Sequence, residues 1–129
     1  MTDITGAYDL HDGSHAGLVI RGVDGAHALQ DSFIRVTNST DIIPITGTFD
    51  PTTNAISFST AHFPGDILLA TFYTGFAMPD AASLGGVLGF AGVWHAQRIQ
   101  FQGAGGKKVL KLVSQSGGWF ANNHAQEIQ

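Results

Sequence analysis

The chain has no cysteine in its 129 residues, which excludes disulfides, thiolate metal sites and thiol nucleophiles together. Charge is scarce as well. Asp, Glu, Lys and Arg make up 12% of the residues, against about a quarter in an ordinary soluble domain. Six basic residues oppose ten acidic ones for a net charge of −4, and only Lys107, Lys108 and Lys111 lie near one another. No basic face can follow a phosphate backbone, so nucleic acid is not an expected partner. The start, "MTDITGAYDL", has neither the basic segment nor the apolar core of a signal peptide, and no apolar run reaches membrane-spanning length. The expected location is the cytoplasm, or the exterior for a chain whose signal has been removed; a membrane is not expected. Sustained helical periodicity with caps is missing too, and with it the strand-to-helix turns of nucleotide cradles and hydrolase elbows: "GAGGKK" has no following Ser or Thr, and no Gly-x-Ser-x-Gly occurs.

What the chain does have is strand pattern. Short runs of Ile, Val, Phe and Thr recur between Gly, Asp, Asn and Pro, which predicts strands near 3–10, 17–23, 31–38, 42–50, 55–62, 66–77, 87–101 and 107–114, with a short one near 118–123. "TFDPTTNAISF" is the clearest hairpin, with Asp50 to Asn54 supplying turn chemistry between alternating segments. A single domain over 1–129 is expected at this length. Eight sequential strands joined by short turns predict an all-β fold, an eight-stranded antiparallel up-and-down β-barrel, because closure removes the sheet edges. A two-sheet sandwich is the alternative for the same strand count.

Two segments carry more. In "DILLATFYTGFA" the alternation puts Leu69, Thr71 and Tyr73 on one face and Leu68, Ala70, Phe72 and Phe76 on the other. Both faces are largely apolar, so the outer one is expected to be covered by a second subunit. Of the two tryptophans, Trp94 shares a face with Phe90, Gly92 and Ala96. Small residues beside a large ring predict room for a ligand, and an eight-stranded barrel is wide enough for one. His11 and His15, four apart across a turn, have no recognisable third ligand, so no metal site is expected. Ser14, His15 and Asp12 are too close in sequence to form a catalytic triad.

These motifs line up in order with one family. "ITGAYDLHDGS" (4–14) resembles the first strand and turn of avidin and streptavidin, with Tyr8 in a Trp position. "GVDGA" (22–26), "ITGTFD" (45–50), "FSTAH" (58–62), "TFYTGF" (71–76), "GVWHAQR" (92–98) and "GWFANN" (118–123) resemble successive strands of the same barrel. The resemblance implies a homo-oligomer, tetramer or dimer, that holds a small molecule of the biotin type and needs no cofactor. It assigns Ser14 to the ureido oxygen of biotin, Thr71 to the thioether sulfur, Tyr73 and Trp94 to the ring wall, and Trp119 to a neighbouring subunit's pocket. Asp12, Phe33 and Leu69 complete the implied lining. Three positions depart from the family pattern: a ureido-binding Asn falls on Leu10, a Tyr on Asp31 or its neighbour Ser32, and a stacking Trp on His62. Loss of polar partners implies weakened biotin binding, since each unpaired buried group costs roughly 1–3 kcal/mol. The acidic group that takes a ureido N–H falls among Asn122, Asn123 and Glu127. The alternative function is a small cyclase or isomerase that folds an apolar substrate in the barrel, with His62 or Asp31 as its acid.

Overall fold

The computed structural model describes residues 2–62, 67–82, 85–104 and 107–123, and every regular element among them is a strand. His124 and Glu127 lie outside the described residues, as does the side chain of His62. The strands are β1 (Gly6–His11), β2 (His15–Ile20), β3 (Gly22–Val23), β4 (Leu29–Gln30), β5 (Phe33–Val36), β6 (Ile42–Pro44), β7 (Thr46–Asp50), β8 (Ala55–His62), β9 (Ile67–Pro79), β10 (Val87–Ala104) and β11 (Lys107–Asn123).

The turns follow from their residues. Gly13 adopts φ 100° between β1 and β2, a conformation that favours glycine. Between β7 and β8, Asp50 Oδ1 accepts the Thr52 N–H at 2.8 Å and Asn54 takes φ 63°, the Asx chemistry that the sequence predicts there.

β2 with β3, β4 with β5, and β6 with β7 each form one course of the wall, interrupted once. Val19 pairs with Phe33 and Gly22 with Gln30 in one register, and the break between them falls at Arg21, Asp31 and Ser32. Asp31 has φ 51° there, and the Ser32 hydroxyl accepts the Arg21 N–H at 3.3 Å in place of a ladder carbonyl. The β6–β7 course pairs with β5 through Ile42–Pro44 and with β8 through Thr46–Asp50. Its remaining bonds, Ile45 N–H to Ser32 O at 3.1 Å and Phe49 N–H to His27 O at 2.9 Å, join it to the course before it. Counted in this way eight antiparallel courses follow one another round the wall, β11 pairs back onto β1, and the result is a nearly closed barrel. The sandwich alternative is therefore set aside.

The strand limits differ from expectation in two informative places. A single strand, β11, replaces the two predicted over 107–114 and 118–123, because Gly117 and Gly118 continue the ladder opposite Trp94 and Val93. The predicted 31–38 strand begins only at Phe33, after the left-handed Asp31.

Inside, Ile4, Tyr8, Leu10, Leu18, Phe49 and Phe90 belong to a continuous buried core. The Tyr8 hydroxyl donates to the Ile4 carbonyl at 2.6 Å, which ties the segment before β1 across that end of the barrel. The opposite end is edged by the β1–β2 turn and the near ends of β8 and β9.

Outside, the β9–β10–β11 face is as apolar as the alternation predicts. Phe72, Phe76, Val93 and Phe120 project from it, with Val93 62% and Phe76 61% exposed.

Candidate functional site

Antiparallel register places the candidate residues in rows. Phe58 of β8 lies opposite Tyr73 of β9, and Tyr73 lies opposite Trp94 of β10. The Phe58 and Tyr73 rings stack at 4.6 Å between centroids, an offset aromatic pair of favourable geometry. One row nearer the β1–β2 turn, Thr60 and Thr71 face each other, and His62 and Leu69 are the next partners. Thr60 is buried, while Thr71 and Leu69 are partly exposed.

The polar end is built on Asp12. Its Oδ1 accepts the Ser14 hydroxyl at 2.7 Å and the Ser14 N–H at 3.1 Å, an arrangement that the Asp-Gly-Ser turn favours locally. Its Oδ2 accepts the Tyr73 hydroxyl at 2.7 Å. This last bond joins residues 61 apart in sequence and fixes the turn over the barrel interior. Burial, reinforced by the bond to the Asp12 carboxylate and by its charge, raises the Tyr73 hydroxyl well above its ordinary pKa of 10.0. It therefore stays protonated and donates.

Trp94 stands beside this end, half-buried, with its ring over Gly117. A Cβ at position 117 would lie 2.9 Å from Cε2, Cζ2 and Nε1 of that ring, so glycine is what lets the indole lie flat against β11. The Trp94 Nε1 atom is buried and has no hydrogen-bond partner. A buried donor left unmade costs about 1–3 kcal/mol. An acceptor on a bound molecule would recover it.

Trp119 corrects the expectation of a residue donated to a neighbour. It is 3% exposed within its own barrel, edge-on to Phe58 at 5.5 Å and to Tyr73 at 5.7 Å. Its Nε1 donates to the carbonyls of Thr74 and Val93, both at 3.1 Å. Gly75 makes the seat: a Cβ there would come within 3.0 Å of Trp119 Cζ2. Gly92 lies opposite both Gly75 and Trp119, so part of the volume expected beside Trp94 is occupied by the second indole.

Other candidates separate from the row. Leu10 is fully buried core on β1, without a polar atom to offer. Phe33 turns outward opposite Val19, under the guanidinium groups of Arg21 and Arg35 at 5.5 and 5.8 Å, and does not line the interior. Asp31 is exposed at the bend before it. Ser32 is buried, but its hydroxyl donates to Gln30 O at 3.0 Å. Asn122 and Asn123 pair with Asp9 and Tyr8, away from the Asp12 end. What the structure brings together is therefore Asp12, Ser14, Thr71, Tyr73 and Trp94, with Leu69 beyond them.

Sequence reasoning puts Phe58 and Thr60 on the His62 face but does not count them among the site residues, although alternation brings both into the row. The strand predicted over 87–101 contains two glycines whose role the pattern alone does not give. Gly89 and Gly92 lie within β10, where a Cβ would meet the carbonyls of Ala121 and Thr74; a glycine inside a strand is the available signal of such close approach. His11 and His15, read as divided by the turn, are direct cross-strand partners whose rings stack at 5.0 Å on the outer surface. Among the described residues no group of three or more His, Asp or Glu could hold a metal ion.

No protein-family model matches the sequence, and no curated protein is significantly similar to it. Solved structures do match along almost the whole chain. A low-affinity mutant of shwanavidin superposes with a TM-score of 0.53 at 18% identity, covering 95% of this chain and 99% of that one. Apo shwanavidin gives 0.54 at 16% identity over 95% and 98%. A rhizavidin–biotin complex gives 0.52 at 16% identity over 98% and 100%. With eight antiparallel courses in order and a nearly closed wall, the chain has an avidin-like β-barrel fold.

Proposed function

We propose that this barrel binds a small molecule of the biotin type through the end edged by Asp12, and that it does so as a homo-oligomer. The observation that carries the reading is the Trp94 indole N–H, buried and unpartnered beside the Tyr73–Asp12–Ser14 hydrogen bonds. A wall of aromatic rings with a few convergent polar groups at one end is the usual form of a small-molecule site. The similarity to a structure solved as a rhizavidin–biotin complex supports biotin as the first ligand to test. Binding weaker than in a donor-rich site is expected, because Leu10 offers no polar atom and the Ser32 hydroxyl is engaged by backbone. The apolar outer face of β9–β11 supports assembly: exposed Phe72, Phe76, Val93 and Phe120 form the kind of patch that a second subunit covers. The cyclising-enzyme reading has no such support from Asp31, which is exposed at a bend.

Calorimetric titration of the full chain with biotin, with the oligomeric mass measured on the same sample, tests the proposal. Saturable binding by an oligomer is the expected result. Silence from a well-folded barrel would overturn biotin, and a monomer would overturn the assembly.

A further inference from the structure

The hydroxyl protons of Tyr73 and Ser14 are already in use. Tyr73 has one O–H and directs it to Asp12 Oδ2; Ser14 directs both its O–H and its backbone N–H to Oδ1. An ionised carboxylate has no proton to offer. What the Asp12–Ser14–Tyr73 cluster presents to a guest is therefore lone pairs, on the two carboxylate oxygens and on the hydroxyl oxygens that donate to them.

Reversing that polarity is costly. Turning the Tyr73 proton toward a ligand acceptor would break a charge-assisted bond, the stronger class of hydrogen bond. It would also leave the carboxylate short of a partner. Tyr73 is only 5% exposed and its ring is held by Phe58 and Trp119, so its oxygen stays beside the carboxylate. At the positions where the family pattern has ureido-binding donors, Leu10 has none and the Ser32 hydroxyl is held by Gln30 O, while the Thr71 hydroxyl lies on β9 two residues from Tyr73, toward Leu69. Trp94 Nε1 is the one buried side-chain donor left unpartnered among the described residues. It sits on the ring wall, across from Tyr73 in the β9–β10 ladder.

We infer that the Asp12 end selects a ligand whose polar head donates hydrogen bonds and carries positive charge, of the amidinium or guanidinium class, in place of a neutral urea. The inference rests on the proposed ligand-binding reading and specifies its polar end. Such a head would place N–H groups against the carboxylate and leave an acceptor atom elsewhere in the molecule for Trp94. The net charge of −4 favours the approach of a cation in the same direction.

A matched pair of probes tests this: biotin, and its cyclic guanidine analogue 2-iminobiotin, which replaces the ureido C=O by C=NH2+ and keeps the shape. Titrated into the full chain at neutral pH, the guanidinium probe is expected to bind about tenfold or more tightly than biotin, as charge-assisted donation implies. Asp12→Asn, which supplies an N–H in place of an anionic oxygen, is expected to abolish that preference. Ser14→Ala, which leaves the carboxylate in place, is expected to retain it and keeps the test open if the first variant does not fold. Equal or tighter binding of biotin by the unaltered protein would overturn the inference and leave the proposed function standing. Binding of neither probe by a folded barrel would overturn the proposed function, and the inference with it.

Discussion

The chain's two tyrosines show how one residue type serves opposite ends of a barrel. Tyr8 and Tyr73 are both buried on the inner face, each stands against other rings, and each donates its hydroxyl proton. Tyr8 donates to the neutral carbonyl of Ile4, four residues back, and so seals its end. Tyr73 donates to a carboxylate that belongs to a turn on another strand and so ties together the end at which a guest is proposed to bind. The lesson is that the acceptor gives a buried hydroxyl its role. A backbone carbonyl makes it structural, whereas a side-chain carboxylate on a turn makes it part of the proposed recognition surface.

The largest way to break the comparison is to remove what holds the two ends together. Trp119 touches Phe58, Tyr73 and Phe90, and its N–H satisfies carbonyls on β9 and β10. Trp119→Ala is expected to cost about 3–5 kcal/mol, the range for emptying a large aromatic site. Chemical denaturation monitored by circular dichroism would measure it. A loss below about 1 kcal/mol would mean that the indole is not seated in its own barrel.

A subtler probe uses the tyrosines' own protons. Burial raises both hydroxyls above 10.0, with the nearby Asp3 charge adding at Tyr8 and the Asp12 bond and charge adding at Tyr73. The folded barrel therefore favours the protonated form. This stabilisation is fully present below pH 10 and is lost as pH rises above it toward the folded values. Denaturation midpoints measured from pH 8 upward should fall more steeply for the unaltered protein than for Tyr8→Phe or Tyr73→Phe. The two single variants should then part company: Tyr8→Phe leaves ligand selection unchanged, and Tyr73→Phe alters it. Identical pH slopes in all three proteins would contradict the burial of both hydroxyls.

Much of this was legible in the sequence, for a physical reason. Alternation reports which side chains share a face, so the Leu69–Thr71–Tyr73 row and the apolar outer row of Phe72 and Phe76 could be read directly. Hairpin chemistry at Asp50 to Asn54 fixed a register in the same local way. Features made by distant residues were not legible. Nothing near Trp119 says that Gly75 makes its seat, and nothing near Asp12 says that Tyr73 reaches it. Phe33, assigned to the lining by resemblance alone, faces outward because the left-handed Asp31 and the Ser32 hydroxyl interrupt the wall just before it. At the same break, Asp31 is exposed and the Ser32 hydroxyl bonds backbone groups of Gln30 and Arg21.

The smallest expected effect on the fold tests the contrast between inside and outside. Val93 and Trp94 are neighbours on β10, yet Val93 is 62% exposed on the outer surface whereas Trp94 faces the interior. Val93→Lys removes no core contact, and an exposed substitution of this kind changes stability by about 0.5 kcal/mol or less. On an apolar patch shared between subunits the same lysine would bring a charge into the centre of the contact, where charged residues are depleted. The expected outcome is a reduced oligomeric mass by light scattering, with the denaturation midpoint of the barrel and its titration by ligand close to those of the unaltered protein. An unchanged mass would place the subunit contact elsewhere on the wall. A lower mass accompanied by lost binding would mean that a neighbouring subunit completes the site after all, by residues other than Trp119.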